Sequence, residues 1–163
     1  MIGGGLPIGA VGGGRAIMET LSPLGPVFHA GTLSGNPLAT AAGLAALGEL
    51  TGDVYIELMA RARRLSAVLR DACAAAGFSA SFPVVGTLVG MVCGDVGPVR
   101  DFDDAKRTDE AAYARFFRAM LAEGVAMAPG AYEALFVGLA HTDDVIEAIG
   151  AAAHRAAASA VAA

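Results

Sequence analysis

The segment Leu21–Gly48 contains no Asp, Glu, Lys or Arg, and this lack of charge restricts the fold more than any other feature. A membrane-spanning helix needs about 20 continuous apolar residues, but Pro23, Pro26 and Pro37 interrupt the segment. Asn36-Pro37 is a strong helix start, because Asn caps free N–H groups and proline has the backbone angle of the first turn. We therefore predict a helix over 38–50. It is apolar on nearly every side, so we expect it to be buried.

The composition of the chain narrows the class of protein. The 163 residues suffice for one domain, or one and a part, and include 37 Ala and 22 Gly. The net charge of −5 argues against nucleic acid as the main partner, because binding a phosphate backbone needs a basic face. The first residues have no basic stretch of the kind that opens a signal peptide. We expect no membrane association.

Cysteine and histidine are few and widely spaced. Cys73 and Cys93 form no CxxC pair, so we expect two reduced core thiols in a cytoplasmic protein. The three histidines, His29, His141 and His154, do not lie at metal-ligand spacing with either cysteine. We therefore expect no metal site.

Glycine dominates the first residues of the chain. Residues 3–14 hold seven Gly and one Pro, which permits tight turns and close approach of another group. The spacing matches neither GxGxxG nor Gly-Lys-Ser/Thr, so a tight structural loop is favoured over a phosphate cradle. A domain rarely begins with its most constrained loop, and we expect the chain to start within a larger protein.

The rest of the chain is typical of an α+β layer. Hydrophobic periodicity predicts a helix, a strand pair, a helix, two short strands and a last helix, over 53–77, 82–93, 108–123, 125–128 with 135–139, and from 142 onward. We expect Arg61, Arg63 and Arg64 to form a solvated helix face. The Ala-rich tail from Ala156 is predicted to be frayed.

The run Gly31-Thr32-Leu33-Ser34-Gly35-Asn36-Pro37 is the best candidate site. It places a hydroxyl group and free backbone N–H groups before a helix N-terminus, an arrangement that suits a phosphate ester. Plain capping of the helix by Asn36 explains the same residues. Both interpretations stay open from the residues alone.

Glu133 lies among apolar residues in Ala-Pro-Gly-Ala-Tyr-Glu-Ala-Leu-Phe. It is either a solvent-facing loop residue or a site residue, and the residues alone favour the loop. His141, ahead of the last helix, is interpreted as a capping or packing residue. His29 could line a site or pack, and His154 is assigned no role.

Several motifs resemble, in order, those of one enzyme family. They are Ile2-Gly-Gly-Gly-Leu-Pro-Ile-Gly-Ala, Gly25-Pro-Val-Phe-His-Ala-Gly-Thr-Leu-Ser-Gly-Asn-Pro-Leu-Ala, Gly124-Val, Ala128-Pro, Tyr132-Glu133 and Leu139-Ala-His-Thr. They resemble the glutamate-1-semialdehyde 2,1-aminomutases, a class III aminotransferase group among the fold-type-I pyridoxal-phosphate enzymes. Ordinary class III aminotransferases usually have an aromatic residue and a Gly where this chain has Leu33-Ser34.

The resemblance implies an α/β pyridoxal-phosphate-dependent transferase fold, of which this chain is the C-terminal part. The end of the large domain is expected over 1–52, and an α+β small domain over 53–163. The implied activity moves an amino group from C2 to C1 of glutamate-1-semialdehyde, giving 5-aminolevulinate for porphyrin biosynthesis. The implied protein is a cytoplasmic homodimer that uses pyridoxal 5′-phosphate, in its pyridoxamine form at the start of the cycle.

The resemblance also assigns individual residues. Gly31 and Thr32 match the family's cofactor-phosphate contact, reached across the dimer interface, and Glu133 matches a catalytic carboxylate. The lysine that binds the cofactor covalently matches a position ahead of Met1, and this chain has no lysine before Lys106. We therefore expect the isolated chain to be inactive. The family often has Ser-Gln where this chain has Gly-Ala at 130–131.

Two other interpretations remain. The chain is a non-catalytic module that dimerises through an apolar half-interface, or it is a fragment of another class III (ω-amino) aminotransferase. The Leu33-Ser34 pair argues against the second.

Overall fold

A computed structural model describes residues 2–162, so Met1 and Ala163 lie outside the described residues. The chain divides into two compact units, Met1–Gly52 and Asp53–Ala163. The assignment of these units to a large and a small transferase domain remains a prediction.

The first unit contains two helices, α1 (Arg15–Met18) and α2 (Pro37–Glu49). Between them, Leu21 and Val27 form an isolated parallel bridge. The side chain of Asn36 caps α2, because its oxygen accepts a hydrogen bond from Ala39 N at 2.9 Å. This confirms the helix start predicted at Asn36-Pro37.

The glycine-rich loop packs directly against α2. A Cβ atom added at Gly4 would lie 2.8 Å from Ala42 O, and one added at Gly43 would lie 2.7 Å from Ile2 O. Gly4 also has a φ of +57°, which L side chains rarely adopt. The close approach that the glycines permit is therefore between this loop and a small-residue face of α2.

The predicted burial of α2 is wrong within residues 2–162. Only Ala39 and Gly43 of this helix are buried, whereas Leu38 and Leu44 are 76% and 68% exposed. The face that the glycine loop covers consists of small residues, and it is narrow. The leucines of α2 lie outside it.

The second unit combines three long helices with short antiparallel strands. Its elements in chain order are α3 (Gly52–Ala76), β1 (Ala80–Ser81), β2 (Val84–Val85), β3 (Leu88–Val89), β4 (Val92–Cys93), α4 (Phe102–Ala105), α5 (Glu110–Ala122), β5 (Leu135–Phe136) and α6 (Asp143–Ala162). Helix α3 ends at Gly77, whose φ of +72° stops it as predicted.

The strands form two small sheets. Strands β1 and β4 pair with Ala80 opposite Cys93. Strands β2, β3 and β5 form a three-stranded sheet in that order, in which Val89 lies opposite both Val84 and Leu135. All pairs are antiparallel, so this unit is an α+β arrangement.

Side chains from α3, α5 and α6 and from the strands form one core. The largest fully buried side chains are Phe116, Leu69, Met120, Ile146, Val89, Cys73 and Cys93. The rings of Phe78 and Phe116 are 5.3 Å apart, within the range that aromatic pairs favour. Ser66, a buried polar residue, donates a hydrogen bond to Phe82 O at 2.6 Å.

Two local predictions are wrong. Residues 125–128 form no strand, and the Ala128 carbonyl accepts a hydrogen bond from the Tyr113 hydroxyl. The tail is not frayed up to Ala162, because α6 continues there and buries Ala156 and Ala160. Small alanine side chains let this last part of the helix pack closely.

No helix within residues 2–162 is long and apolar enough to cross a membrane.

We predict opposite effects of alanine at two glycines of α2. Gly43→Ala destabilises the helix by about 1–3 kcal/mol, because its Cβ meets the Ile2 carbonyl oxygen. Gly48→Ala, the matched control with nothing within 4 Å of the new Cβ, stabilises it by about 0.5–1 kcal/mol. Hydrogen exchange of the α2 amides measures both. Equal effects would contradict the packing described.

The buried thiols of Cys73 and Cys93 generate a second prediction. Burial is the main cause that raises the pKa of both to about 12, from 9.0. Because the folded chain holds these protons more tightly, their stabilisation is complete below pH 9 and is lost as the pH rises toward 12. We expect Ellman's reagent at pH 8 to label neither thiol until urea unfolds the chain. Rapid labelling of the folded chain would contradict this.

Candidate functional site

The segment between Gly31 and Asn36 is a pair of linked turns before α2. Ser34 N–H donates to Gly31 O at 2.9 Å, and Asn36 N–H donates to Leu33 O at 3.3 Å. The Asn36 side-chain amide also donates to Leu33 O, at 2.8 Å. Gly35 has a φ of +68°, so the second turn needs glycine.

This loop presents hydrogen-bond donors to solvent. Thr32 is exposed, and within residues 2–162 its hydroxyl and its backbone N–H have no hydrogen-bond partner. A Cβ added at Gly31 would lie 2.7 Å from Ser34 Oγ, so a larger residue there would displace the Ser34 hydroxyl. With no charged side chain in Leu21–Gly48, the donor set fits the acceptor oxygens of a phosphate ester.

Capping and anion binding use different atoms of this loop. Asn36 satisfies Ala39 N–H with its side chain and Thr40 N–H with its carbonyl. Neither contact involves Thr32. The capping interpretation is therefore correct for Asn36 and leaves the phosphate interpretation of Gly31 and Thr32 open.

Glu133 is an exposed residue of the loop between α5 and β5. Its Oε1 accepts a hydrogen bond from Gly130 N–H at 3.0 Å. A Cβ added at Gly130 would lie 2.7 Å from the same oxygen, so glycine lets the carboxylate approach this turn. Among residues 2–162, Gly130 is its one hydrogen-bond partner, and Oε2 is left open.

Glu133 and His141 line the same cavity, which has a volume of about 400 Å³. Most of its wall is apolar and comes from α3, α5, α6, β5 and the loops that flank β5, including Leu65, Leu69, Met120, Val125, Met127, Leu135 and Ile149. His141 Nδ1 accepts a hydrogen bond from Gly138 N–H at 3.0 Å. This arrangement leaves Nε2 to carry the ring proton. A mostly apolar hollow with few polar groups is typical of small-molecule sites.

The arginines of α3 do not form the solvated face that was expected. Arg61 donates to the carbonyl oxygens of Gly138 and Leu139 and pairs with Glu57. Its side chain is only 17% exposed. Arg61 therefore fixes the turn that precedes His141.

Arg64, one turn further along α3, forms ion pairs with Asp143 and Glu147 of α6. Arg63 is exposed, as expected for all three arginines. The signal that distinguishes Arg61 is its spacing, three residues after Leu58 and four before Leu65, which places it on their side of the helix.

The predicted site residues belong to different units. Gly31 and Thr32 lie in Met1–Gly52, and Glu133 lies in Asp53–Ala163. Their predicted roles remain predictions. The sequence did not indicate that His141 lines the same cavity as Glu133, because β5 and the loops on both sides of it separate the two residues. No group of three or more His, Cys, Asp or Glu side chains in the described chain is placed to hold a metal ion.

Comparison with known proteins assigns the chain to a family. The model of the class-III aminotransferases matches residues 1–152. The glutamate-1-semialdehyde 2,1-aminomutase of Desulfosudis oleivorans is 49% identical over 148 residues, which cover 90% of this chain and 34% of that relative. The chain spans about a third of the length of the curated relatives that it matches.

Solved structures agree on the fold. A β-phenylalanine aminotransferase from Variovorax paradoxus has a TM-score of 0.76 at 32% identity, over 94% of this chain and 35% of that one. A transaminase with pyridoxal phosphate bound has a TM-score of 0.81 over 99% of this chain and 37% of that one. At 22% identity, this second likeness shows the fold alone. The predicted α/β transferase fold is confirmed, and the chain belongs to the class-III aminotransferase family.

Proposed function

We propose that this chain is part of a pyridoxal-phosphate-dependent glutamate-1-semialdehyde 2,1-aminomutase. One observation carries the proposal: an aminomutase is 49% identical to this chain over 90% of its length. The Leu33-Ser34 pair, within a motif that resembles the aminomutases, supports the same choice. The proposed reaction converts glutamate-1-semialdehyde into 5-aminolevulinate by moving the amino group between adjacent carbons.

Gly31 and Thr32 are the proposed phosphate contact of this enzyme. When bound, pyridoxal phosphate supplies an electron sink for chemistry at the carbon that bears nitrogen. The Thr32 hydroxyl and the backbone N–H groups beside it can donate to the phosphate oxygens, since within residues 2–162 they have no other acceptor. The absence of carboxylates along Leu21–Gly48 removes a source of repulsion for the phosphate dianion.

Covalent attachment of the cofactor to this chain is not expected. Its one lysine is Lys106, whose Nζ pairs with Asp103 at 2.6 Å and lies 5.6 Å from the centre of the Phe102 ring. Both contacts are with residues of α4, the short helix that Lys106 follows.

Glu133 is the proposed catalytic carboxylate. Gly130 N–H occupies one of its oxygens, and the other is available to accept a hydrogen bond from a substrate N–H group or to hold a proton. The apolar wall of the neighbouring cavity lowers the local dielectric constant and strengthens such a contact.

The proposal includes a homodimer in the cytoplasm. Its support is the exposed apolar surface of α2, where Leu38 and Leu44 lie outside the covered face. Exposed leucines of this kind occur at protein–protein interfaces. The same surface is the observation that favours the second candidate, a module that dimerises without catalysis.

A chimera tests the proposed activity. We expect an enzyme in which this chain replaces the matching part of the Desulfosudis oleivorans aminomutase to form 5-aminolevulinate without an external amino donor. An aminotransferase of another specificity would need such a donor. Glu133→Gln in the chimera should lower kcat by about 10²-fold or more. Activity only with an added donor, or none in a folded chimera, would contradict the proposal.

The phosphate contact has its own test in the same chimera. Thr32→Val keeps the shape of the side chain but removes the donor, so we expect pyridoxamine phosphate to bind about tenfold more weakly. Thr51→Val is the matched control, an exposed threonine of the same unit, and should leave the dissociation constant unchanged. Binding of pyridoxamine without phosphate should not distinguish the two variants. If it does, Thr32 does not contact the phosphate.

A further inference from the structure

We propose that Tyr132 and Tyr113 are positioning residues that fasten the 128–133 segment to α5, so that the Glu133 carboxylate is presented in one place. The inference rests on the proposed role of Glu133. It assigns a function to two phenol hydroxyls that the resemblance does not explain.

Tyr132 fastens the segment at the residue next to Glu133. Its hydroxyl donates a hydrogen bond to Glu110 Oε1 at 2.6 Å, and Glu110 is the first residue of α5. The Tyr132 ring also lies 5.8 Å from the ring of Phe102, centre to centre. A hydrogen bond to a charged acceptor is stronger than one between neutral groups, so the phenol of this exposed residue has a defined orientation.

Tyr113 fastens the other end of the same segment. It lies one turn after Glu110 on the same side of α5, and its hydroxyl donates to the Ala128 carbonyl. Only 2% of Tyr113 is exposed, so the donor of this hydrogen bond is anchored in the core of the unit.

The two contacts fix the chain on both sides of the Pro129-Gly130 turn. Within this turn, Gly130 N–H donates a hydrogen bond to Glu133 Oε1 at 3.0 Å. The Glu133 carboxylate is therefore bound to a turn that the two tyrosine contacts fix at both ends. A reacting group needs such support to within a fraction of an ångström. Without it, an exposed glutamate side chain samples many rotamers.

The charges around the two phenols agree with this arrangement. The pKa of Tyr113 is raised by burial first, then by Cys93 and by Glu133, which places its hydroxyl in the field of that carboxylate. The hydrogen bond to Glu110 is the main cause that raises the pKa of Tyr132. Both phenols therefore keep their protons at neutral pH and act as donors.

The test uses NMR of the whole 163-residue chain without cofactor. The Gly130 amide proton reports on the contact, because its chemical shift follows the ionisation of Glu133 while the two groups are hydrogen-bonded. In Tyr132→Phe we expect this pH-dependent shift to lose most of its amplitude and the Gly130 amide to exchange about fivefold faster, as for one lost hydrogen bond.

The matched control is Tyr55→Phe. Tyr55 and Tyr132 are equally exposed, at 46% each, but the Tyr55 hydroxyl has no hydrogen-bond partner within residues 2–162. This variant should leave the Gly130 titration as it is in the unmodified chain. Glu110→Ala removes the acceptor and should reproduce most of the Tyr132→Phe effect, with little added in the double variant.

Two further variants separate positioning from packing. Gly130→Ala should displace the Glu133 carboxylate, which is the flexible group that the new Cβ meets, and abolish the shift with Tyr132 intact. Tyr113→Phe should weaken the Gly130 titration while the other amides keep their shifts. If Tyr113→Phe unfolds the chain, Tyr132→Phe still decides the question.

An unchanged Gly130 titration in folded Tyr132→Phe would overturn the proposal. Because these measurements involve no cofactor and no turnover, such a failure is separate from failure of the aminomutase proposal. In the active chimera, Tyr132→Phe should lower kcat more than it changes KM, since it alters the placement of Glu133 rather than a binding group.

Discussion

Burial of one face of α5 is the constraint on which the second unit depends. Tyr113, Phe116 and Met120 recur at spacings of three and four residues, and all three belong to the hydrophobic core that also contains residues of α3, α6 and the strands. Full burial of a side chain such as Phe116 stabilises the fold by about 1.5–3 kcal/mol, more than the roughly 1 kcal/mol of a net hydrogen bond. Apolar packing therefore holds α5 in place, and the polar groups of the helix can then orient the Glu133 loop.

The sequence predicted those parts of the fold that depend on local chemistry. The start of α2 at Asn36-Pro37 and the end of α3 at Gly77 each need one turn of chain, and both were found. The segment 125–128 was mistaken for a strand because its short run of apolar residues matches the pattern of a buried strand. The Ala128 carbonyl instead accepts a hydrogen bond from the Tyr113 hydroxyl, and no local rule could indicate that contact. The exposed leucines of α2 were missed for a related reason. An all-apolar helix indicates that other residues must bury it, but it does not indicate which residues do so.

The candidate site shows the same difference between features that local sequence indicates and contacts that only the folded chain brings about. Gly31, Thr32 and Glu133 were selected through family resemblance, because the residues alone allowed a structural role equally well for Gly31 and Thr32 and favoured a loop role for Glu133. His141 could not be selected, since it reaches the cavity of Glu133 only through the fold of the segment between them. Arg61 was predicted to be solvated, although its spacing from Leu58 and Leu65 places it on their side of α3, where it donates to the carbonyls of Gly138 and Leu139.

The proposed function depends most on the binding of a phosphate ester by the Gly31–Thr32 turn. A crystal structure of the chimera with pyridoxal phosphate bound measures this directly. We expect Thr32 Oγ1 to lie about 3 Å from a phosphate oxygen, at hydrogen-bond distance, with neighbouring backbone N–H groups directed at the same group. A structure in which other residues hold the phosphate, while Thr32 faces solvent, would contradict it.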